Sequence, residues 1–421
     1  MRILFALHQF YPEFSGGTER VALNLALAAQ RAGHRAHVIA GAISPGACVG
    51  TPSAVLEGAM ETTHLGVPIT LIPRRLLPDA ADYSFEPDED LTGQLTAWLH
   101  GNRHDLVHVL HSMRMASLIL AAQRSAIPYL LTLTDFFYTC FLINRVNLDN
   151  RLCPGSNAGR RCATDCLLAP WTPDGLERRY RQAHGLLASA GMRVCPSEYV
   201  ARHYREEFPN LEFKVIPHGI DFLAFLPRAH HVASPGLNPE LTLGFVGTIV
   251  PQKGLDVLLK AFAQVDNPSP RLLVAGGMHG DTHYCNGIRR LASADKRVSL
   301  LGRIEPAHVA DLMRRIHVLC LPSRVPETYS LALHEAAVAG VPALVSALGA
   351  PGEHVSQHGG GRCLPPDDID AWSGAIAAML EESQTIQDWR SKVALPLRVE
   401  EEAFFYESLY RQIRLDVGEA T

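Results

Sequence analysis

Short apolar runs alternate with helix-length patterns twice along this chain, and that alternation limits the fold more than any other feature. In the first series Ile3-Leu4-Phe5-Ala6 reads as a strand, Thr18 to Ala32 as a helix stopped at Gly33, and Ala36 to Ala40 as a second strand. Leu106 to Leu110, the helix Met115 to Ser125 and the strand Tyr129 to Leu133 continue it. A second series starts at Leu241 to Val246 and runs through Gly254 to Val265, Arg271 to Ala275 and Val318 to Leu321. Apolar strands separated by helices are the pattern of a doubly wound parallel sheet. Two such series predict two Rossmann-like α/β domains, since 421 residues are too many for one compact core. Facing each other across a cleft, they would hold ligands at the carboxyl ends of their strands.

The expected boundaries are 1–221 for the first domain, 222–240 for a linker and 241–398 for the second domain. The linker segment is rich in Pro and His and has no periodicity. Val399 to Leu415 reads as a charged amphipathic helix within a last segment, 399–421. Residues 136–170 form a Cys-rich insertion in the first domain.

A net charge of −5 gives no support for nucleic-acid binding. The first apolar run is too short for a signal peptide, and no stretch approaches the roughly 18 consecutive apolar residues of a membrane span. A cytoplasmic protein is expected, with peripheral docking at the inner face of the membrane left open. The cluster Arg178-Arg179-Tyr180-Arg181 is either a contact for anionic lipid or a solvated helix face.

The chemistry concentrates in Pro326-Glu327-Thr328-Tyr329-Ser330-Leu331-Ala332-Leu333-His334-Glu335. Glu327 falls in a loop after the buried run Val318 to Pro322. Ser330 reads as the N-cap of a helix, Leu331 to Ala339, that Gly340 and Pro342 stop. The helix start at Tyr329, Ser330 and Leu331 offers N–H groups and a positive dipole end to a phosphate. Glu327 reaches the same ligand from the loop, and Glu335 from the first turns of the helix. One acid beside a phosphate cradle suggests a nucleotide sugar. Gly16-Gly17 joins the first strand to the first helix and lets the backbone approach a ligand closely. Two acidic tracts read as structural: Asp88-Glu89-Asp90 as a solvated loop run, and Asp367-Asp368-Ile369-Asp370 as the acidic start of a helix.

These motifs, in this order, resemble retaining glycosyltransferases of the GT-B fold, in particular glycosyltransferase family 4 with its E-x7-E signature. The resemblance implies that Glu327 faces the transferred sugar and Glu335 holds the nucleotide ribose. Gly16-Gly17 is similar to the family's glycine loop beside the donor diphosphate. In Gly247-Thr248-Ile249-Val250-Pro251-Gln252-Lys253-Gly254, Lys253 matches the lysine that pairs with the diphosphate. Thr248 stands where an arginine is common, leaving a hydroxyl in place of one cation. His111 resembles the second histidine of an H-x-H element near the sugar, while His108 reads as a core residue. Thr134-Asp135 looks like the family's H-D pair with Thr for His, and Asp135 is expected to orient an acceptor hydroxyl. Pro217-His218-Gly219-Ile220-Asp221 resembles P-N-G-I-D, an element of hinge geometry. In GT-B proteins the chain end crosses back to the first domain, so the last helix is expected there.

Cys140, Cys153, Cys162 and Cys166 are spaced C-x12-C-x8-C-x3-C. Four thiols in a loop-rich segment suit a tetrahedral structural zinc, and an iron–sulfur cluster uses the same ligands. Disulfides fit a reducing compartment less well. The resemblance implies transfer of a sugar from a UDP- or GDP-sugar to a hydroxyl of a glycan or lipid-linked acceptor, with retention and no catalytic metal. Bacterial cell-surface polysaccharide or lipopolysaccharide synthesis is the expected setting. A nucleotide-sugar 2-epimerase of the same fold and a catalytically impaired nucleotide-sugar binding subunit are the alternatives.

Overall fold

The apolar runs become the strands of two separate sheets. The computed structural model describes residues 1–44, 50–225, 241–278, 280–382 and 384–419. Its first unit comprises Met1–Gly219 with Val399–Thr421, and its second Ile220–Arg398.

The first unit opens with β1 (Arg2–Leu7), α1 (Gly17–Arg31) and β2 (Arg35–Ala42). Then follow β3 (Thr51–Pro52), β4 (Met60–His64), β5 (Val67–Pro73), α2 (Glu89–Asn102), β6 (Leu106–Val109), α3 (Ala116–Arg124) and β7 (Tyr129–Thr132). After the insertion, which carries α4 (Arg160–Asp165), come α5 (Pro173–Ser189), β8 (Met192–Cys195), α6 (Glu198–Glu207) and β9 (Lys214–Val215). The sheet order is β3-β4-β5-β2-β1-β6-β7-β8-β9. It is parallel apart from β4, which runs antiparallel to β3 and β5. Asp88-Glu89-Asp90 is not a loop: Asp88 caps α2 by accepting from the Leu91 N–H at 2.8 Å.

The second unit contains β10 (Thr242–Val246), α7 (Leu255–Ala263), β11 (Arg271–Ala275), α8 (Thr282–Ala294), β12 (Val298–Gly302) and α9 (Val309–Met313). It continues with β13 (Val318–Leu321), α10 (Leu331–Val338), β14 (Ala343–Ser346), α11 (Gly349–His358), β15 (Gly361–Leu364), α12 (Ile369–Glu381) and α13 (Gln384–Arg390). Its sheet, β12-β11-β10-β13-β14-β15, is parallel throughout. Such strands are covered on both faces, which is why β13 reads as an unbroken apolar run. Asp368 caps α12 through the Ala371 N–H.

The last helix, α14 (Val399–Glu419), lies in the first unit. Its Tyr410 hydroxyl meets His108 Nδ1 at 2.8 Å, and its Tyr406 hydroxyl meets Thr132 Oγ1 at 2.7 Å. His108 Nε2 closes the network on the same Thr132 oxygen at 2.7 Å. Burial, with His218 nearby, pushes the His108 imidazole down to about 3, so it is a neutral core residue. Glu402 of α14 is fully buried and accepts from the Gly219 N–H at 2.8 Å while pairing with His218 Nδ1 at 2.9 Å. The P-N-G-I-D-like segment is thus tied to α14 through the histidine that replaces asparagine.

The expected boundary at residue 221 shifts by two positions. Ile220 bridges Arg398 and its N–H donates to the Leu397 carbonyl at 2.8 Å, which attaches it to the second unit. Phe222–Phe225 form a 3-10 turn. Residues 226–240 of the expected linker lie outside the described residues. Among the described residues no helix is long and apolar enough to cross a membrane. The basic cluster of α5 is not a uniformly solvated face. Arg179 is buried, stacks 4.7 Å from the centroids of Phe85 and Phe137, and donates to the Tyr83 carbonyl at 2.7 Å. Arg178 and Arg181 pair with Glu86 and Glu177.

Candidate functional site

In the second unit three residues, one of them distant in sequence, converge on one carboxylate. The Lys253 ammonium lies 2.9 Å from Glu327 Oε2, and the Ser323 hydroxyl donates to Oε1. The Ser330 hydroxyl also hydrogen-bonds this group. Burial alone would raise the Glu327 carboxyl, but the lysine and the two hydroxyls outweigh it and hold it below the ordinary range. Glu327 is therefore charged at neutral pH, and not the solvated loop acid its surroundings in sequence would allow. Its main chain is equally constrained. The Ala350 N–H donates to its carbonyl at 2.8 Å, and a Cβ on Gly349 (φ +69°) would come within 2.5 Å of its nitrogen.

Glycine also explains how Lys253 arrives. Gly254 follows it at φ +64°, and a Cβ there would fall 1.9 Å from the Pro322 carbonyl oxygen. Only glycine allows the loop after β10 to pack so closely on the end of β13. Arg324, which sequence reasoning missed, fastens the same two loops. Its guanidinium grips Asp256 in a fork at 2.6 and 2.8 Å, donates to the Pro251 carbonyl at 3.0 Å and reaches Asp367 at 2.5 Å. With these carboxylates in place Arg324 is a scaffold for Lys253 and does not replace the cation absent at Thr248. Thr248 itself is exposed.

Ser330 stands at the N-cap position of α10 but does not cap it. Its φ is +72° and its side chain makes no capping bond, because the hydroxyl is turned to Glu327. Glu335 is buried, at 2% exposure, and so is no ordinary surface residue of the helix. Tyr329 stacks parallel on His334, with ring centroids 4.0 Å apart. Leu331 begins the helix.

In the first unit a second set forms at the ends of β1, β6 and β7. His111 Nε2 and Asp135 Oδ2 are in direct hydrogen-bonding contact. His111 Nδ1 accepts from the Met113 N–H at 3.2 Å, and Asp135 Oδ1 accepts from the Phe137 N–H at 2.9 Å. Asp135 is thus directed at His111, a partnership that their separation in sequence conceals. Two further residues join them. The His8 ring lies 4.0 Å from the His111 ring, centroid to centroid, and His8 Nε2 lies 4.0 Å from Glu19 Oε1. Glu19 is buried, and burial raises its carboxyl although the Gln9 amide, at 2.9 Å, opposes this.

Gly16 has an ordinary φ of −74°. A Cβ there would stand 2.6 Å from Glu19 Oε2, so the loop and this acid pack closely. Gly17 is the first residue of α1. The glycine loop thus seats a buried acid as well as exposing its backbone. The signal for Glu19 was its place three residues after Gly16, the capping-box offset; nothing in the sequence distinguished His8.

The four insertion cysteines form one electrostatic neighbourhood: Cys162 feels Cys140, Cys153 and Cys166. Burial, and then the neighbouring thiols, push Cys162 up to about 12 and Cys166 up to about 11. The N–H groups of Arg145 and Leu142 point at the Cys140 sulfur, and that of Leu148 at Cys166. Such donors favour thiolates, so the donor chemistry suits a soft metal. Among the described residues, however, no three His, Cys, Asp or Glu side chains are arranged to hold one ion. Cys153 instead donates to the Gly155 carbonyl at 3.4 Å, and all four thiols are free of disulfides.

Comparison with known proteins identifies the family. A family model described as Glycosyltransferase Family 4 matches residues 15–222, and one described as Glycosyl transferases group 1 matches residues 230–394. A D-inositol 3-phosphate glycosyltransferase of Segniliparus rotundus is 29% identical over 226 residues, 51% of this chain and 50% of that protein. One of Rhodococcus jostii is 31% identical over 197 residues, 44% and 43% of the two chains. The chain spans about half the length of these relatives, or less. Among solved structures, sucrose-phosphate synthase from Thermosynechococcus elongatus superposes with a TM-score of 0.71 at 19% identity, covering 98% of both chains. Anabaena HepE in complex with UDP and glucose gives 0.66 at 17% identity, covering 100% of this chain and 99% of that one. With both halves matched by glycosyltransferase models and the whole chain by structures of this fold, the protein belongs to glycosyltransferase family 4 and has the GT-B fold.

Proposed function

We propose that the protein transfers a sugar, with retention of anomeric configuration, from a UDP- or GDP-sugar to a hydroxyl of a glycan or lipid-linked acceptor. The observation that carries the reading is the Lys253–Glu327 pair, half-shielded beside Ser323 and the start of α10, which Ser330 does not cap. A lysine ammonium has three donors, and only one is spent on Glu327. The others meet the charge that builds on the departing diphosphate, together with the N–H groups at Tyr329 to Leu331. Glu327 positions the sugar and Glu335 binds the ribose, while in the first unit Asp135 holds His111. In this reading 241–398 is the donor domain and 1–221 the acceptor domain. The Anabaena structures with UDP and UDP-glucose support a uridine donor. The names of the inositol 3-phosphate relatives make that cyclitol one acceptor to test. A cytoplasmic enzyme of cell-surface polysaccharide synthesis, acting in solution or at the inner face of the membrane, suits such chemistry.

The insertion thiols Cys140, Cys153, Cys162 and Cys166 have the chemistry of a structural zinc set but not, as placed, its geometry, so a zinc there would have to draw them together. Metal analysis of the purified protein tests this, with iron and labile sulfide as the result that replaces zinc.

Thermal stabilisation by a panel of UDP-, GDP- and ADP-sugars tests the donor reading, repeated on Glu335→Gln. A ligand at a hundred times its Kd adds about 2.7 kcal/mol, and the variant is expected to lose most of that shift. No shift with any nucleotide sugar in the wild type overturns the reading. Donor breakdown with and without acceptor then separates a transferase from a 2-epimerase and from a binding subunit.

A further inference from the structure

The Cys-rich insertion of the first unit displays leucine on its outside. Four of the twelve exposed large apolar side chains among the described residues fall within positions 148–168: Leu148, Leu152, Leu167 and Leu168, each between 42% and 49% exposed. Single surface leucines need no explanation, but a concentration of them does. Two segments bring these four together. The turn Asn147 to Arg151, closed by the Asn147 N–H on the Arg151 carbonyl at 2.9 Å, carries Leu148 near its tip and Leu152 at its base. The Leu148 N–H hydrogen-bonds the Cys166 sulfur, and Leu167 and Leu168 follow that cysteine directly.

The segment is held firmly to the unit. Arg145 is buried over the Phe136 ring, 5.3 Å from its centroid, and donates to the Cys153 carbonyl at 3.0 Å. Glu207 of α6 accepts from the Ser156 N–H and from its hydroxyl, each at 2.5 Å. At the start of α4, Gly159 (φ +88°) lies so close to α5 that a Cβ would stand 2.6 Å from the Leu176 carbonyl oxygen. So anchored, the leucines cannot fold back into the core, and what covers them comes from outside the unit.

The charges around them define that cover. Residues 141–171 contain four arginines against two aspartates, in a chain whose net charge is −5. Arg151, between Leu148 and Leu152, is exposed and has no carboxylate partner among the described residues. Arg160 of α4 and Arg181 of α5 share the one carboxylate of Glu177, at 3.5 and 3.9 Å, with their side chains 70% and 68% exposed. Leucines beside a surplus of guanidinium groups match a surface that is anionic at its headgroups and hydrocarbon beneath. A second copy of the chain fits less well, since a two-fold contact here would set the same arginines against each other.

We propose that the leucine edge of the insertion docks the first unit on an anionic lipid bilayer. The inference deepens the proposed function and rests on it only for the lipid-linked acceptor, which such docking would bring to the enzyme. The test is flotation of the full chain with vesicles of phosphatidylcholine alone and of phosphatidylcholine and phosphatidylglycerol in equal parts, with no nucleotide sugar present. Wild type should float with the anionic vesicles and not with phosphatidylcholine. Leu148→Ser, Leu167→Ser and Leu168→Ser combined should weaken that binding at least about tenfold. Arg151→Gln should weaken it about fivefold, the effect of one charge at the lipid surface. Leu65→Ser, which alters a leucine 68% exposed in the turn after β4, should leave it unchanged. A wild type that ignores anionic vesicles, equal binding to phosphatidylcholine, or full binding by the triple variant overturns the proposal. So does leucine-dependent self-association in sedimentation without vesicles, which would make the edge a contact between copies. None of these results touches the donor reading, which nucleotide-sugar binding tests separately.

Discussion

Replacing Lys253 by methionine keeps the aliphatic stem and removes the charge that Glu327 depends on. The two groups are 2.9 Å apart, with side-chain exposures of 31% for the lysine and 12% for the glutamate. Breaking a fully buried pair costs about 3–5 kcal/mol and a surface pair about 0–1, so this half-shielded one is worth about 2 kcal/mol. The pH dependence identifies the cause. Burial raises the Glu327 carboxyl, and the lysine and two hydroxyls bring it below its usual value. In the wild type that low value contributes stability above the unfolded pKa of about 4.3, lost as pH falls through the folded value. In Lys253→Met, burial is opposed only by Ser323 and Ser330, and the carboxyl moves up. The variant's deficit is then largest near pH 7 and shrinks as pH falls from the raised value towards about 4.3. Urea unfolding at several pH values measures it, following the transition of the second unit, whose core contains Trp372. Adding Glu327→Gln to the lysine variant should recover more than half the loss. A deficit that is the same at pH 7 and pH 5, or that the second substitution deepens, would refute the reasoning.

Two further substitutions probe the frame around this pair. Gly349→Ala places a Cβ within 2.5 Å of the Glu327 nitrogen at a left-handed φ, and is expected to cost about 2–3 kcal/mol in urea unfolding and to weaken nucleotide binding. Arg324→Ala releases the loops that carry Lys253 and Glu327; calorimetry with UDP should show at least fivefold weaker binding. Arg324→Lys should not rescue it, because a single ammonium cannot reproduce the fork on Asp256.

What the sequence discloses and conceals follows from how the information is spread. The parallel strands are legible because burial on both faces makes them continuous apolar runs, as in Val318 to Leu321. β4 is not, since Met60–His64 alternates half-buried and exposed residues at the sheet margin. Lys253 and Glu327 are legible singly, each inside a local motif; that they share an ion pair depends on Gly254 meeting the Pro322 carbonyl, across the sheet. His8 and Arg324 leave no local trace at all. Their settings come from partners brought in by the fold, Glu19 and His111 for one and Asp256 and Asp367 for the other. Arg179 shows the opposite error: three arginines in four residues look like a surface patch, yet helical geometry sends the middle one into the core between Phe85 and Phe137.

The resting ion pair also bears on how the proposed transfer would work. A free lysine side chain loses up to about 2 kcal/mol of rotamer entropy when a ligand fixes it. Here Glu327 already fixes Lys253, and the hydroxyls of Ser323 and Ser330 fix Glu327, so that loss is taken during folding and not during diphosphate binding. The arrangement has a second consequence. An ammonium paired with a carboxylate binds a neutral or weakly charged group poorly, and releases its remaining donors to advantage only where negative charge accumulates. A diphosphate leaving group gains charge as the sugar bond breaks, so the pair discriminates in favour of that stage over the intact donor. In the proposed reading Glu327 then has two jobs that cannot be separated by distance: to face the sugar and to set the strength of Lys253. Glu327→Gln should therefore lower the rate of donor breakdown while tightening the bare diphosphate, because the amide frees the full lysine charge for it.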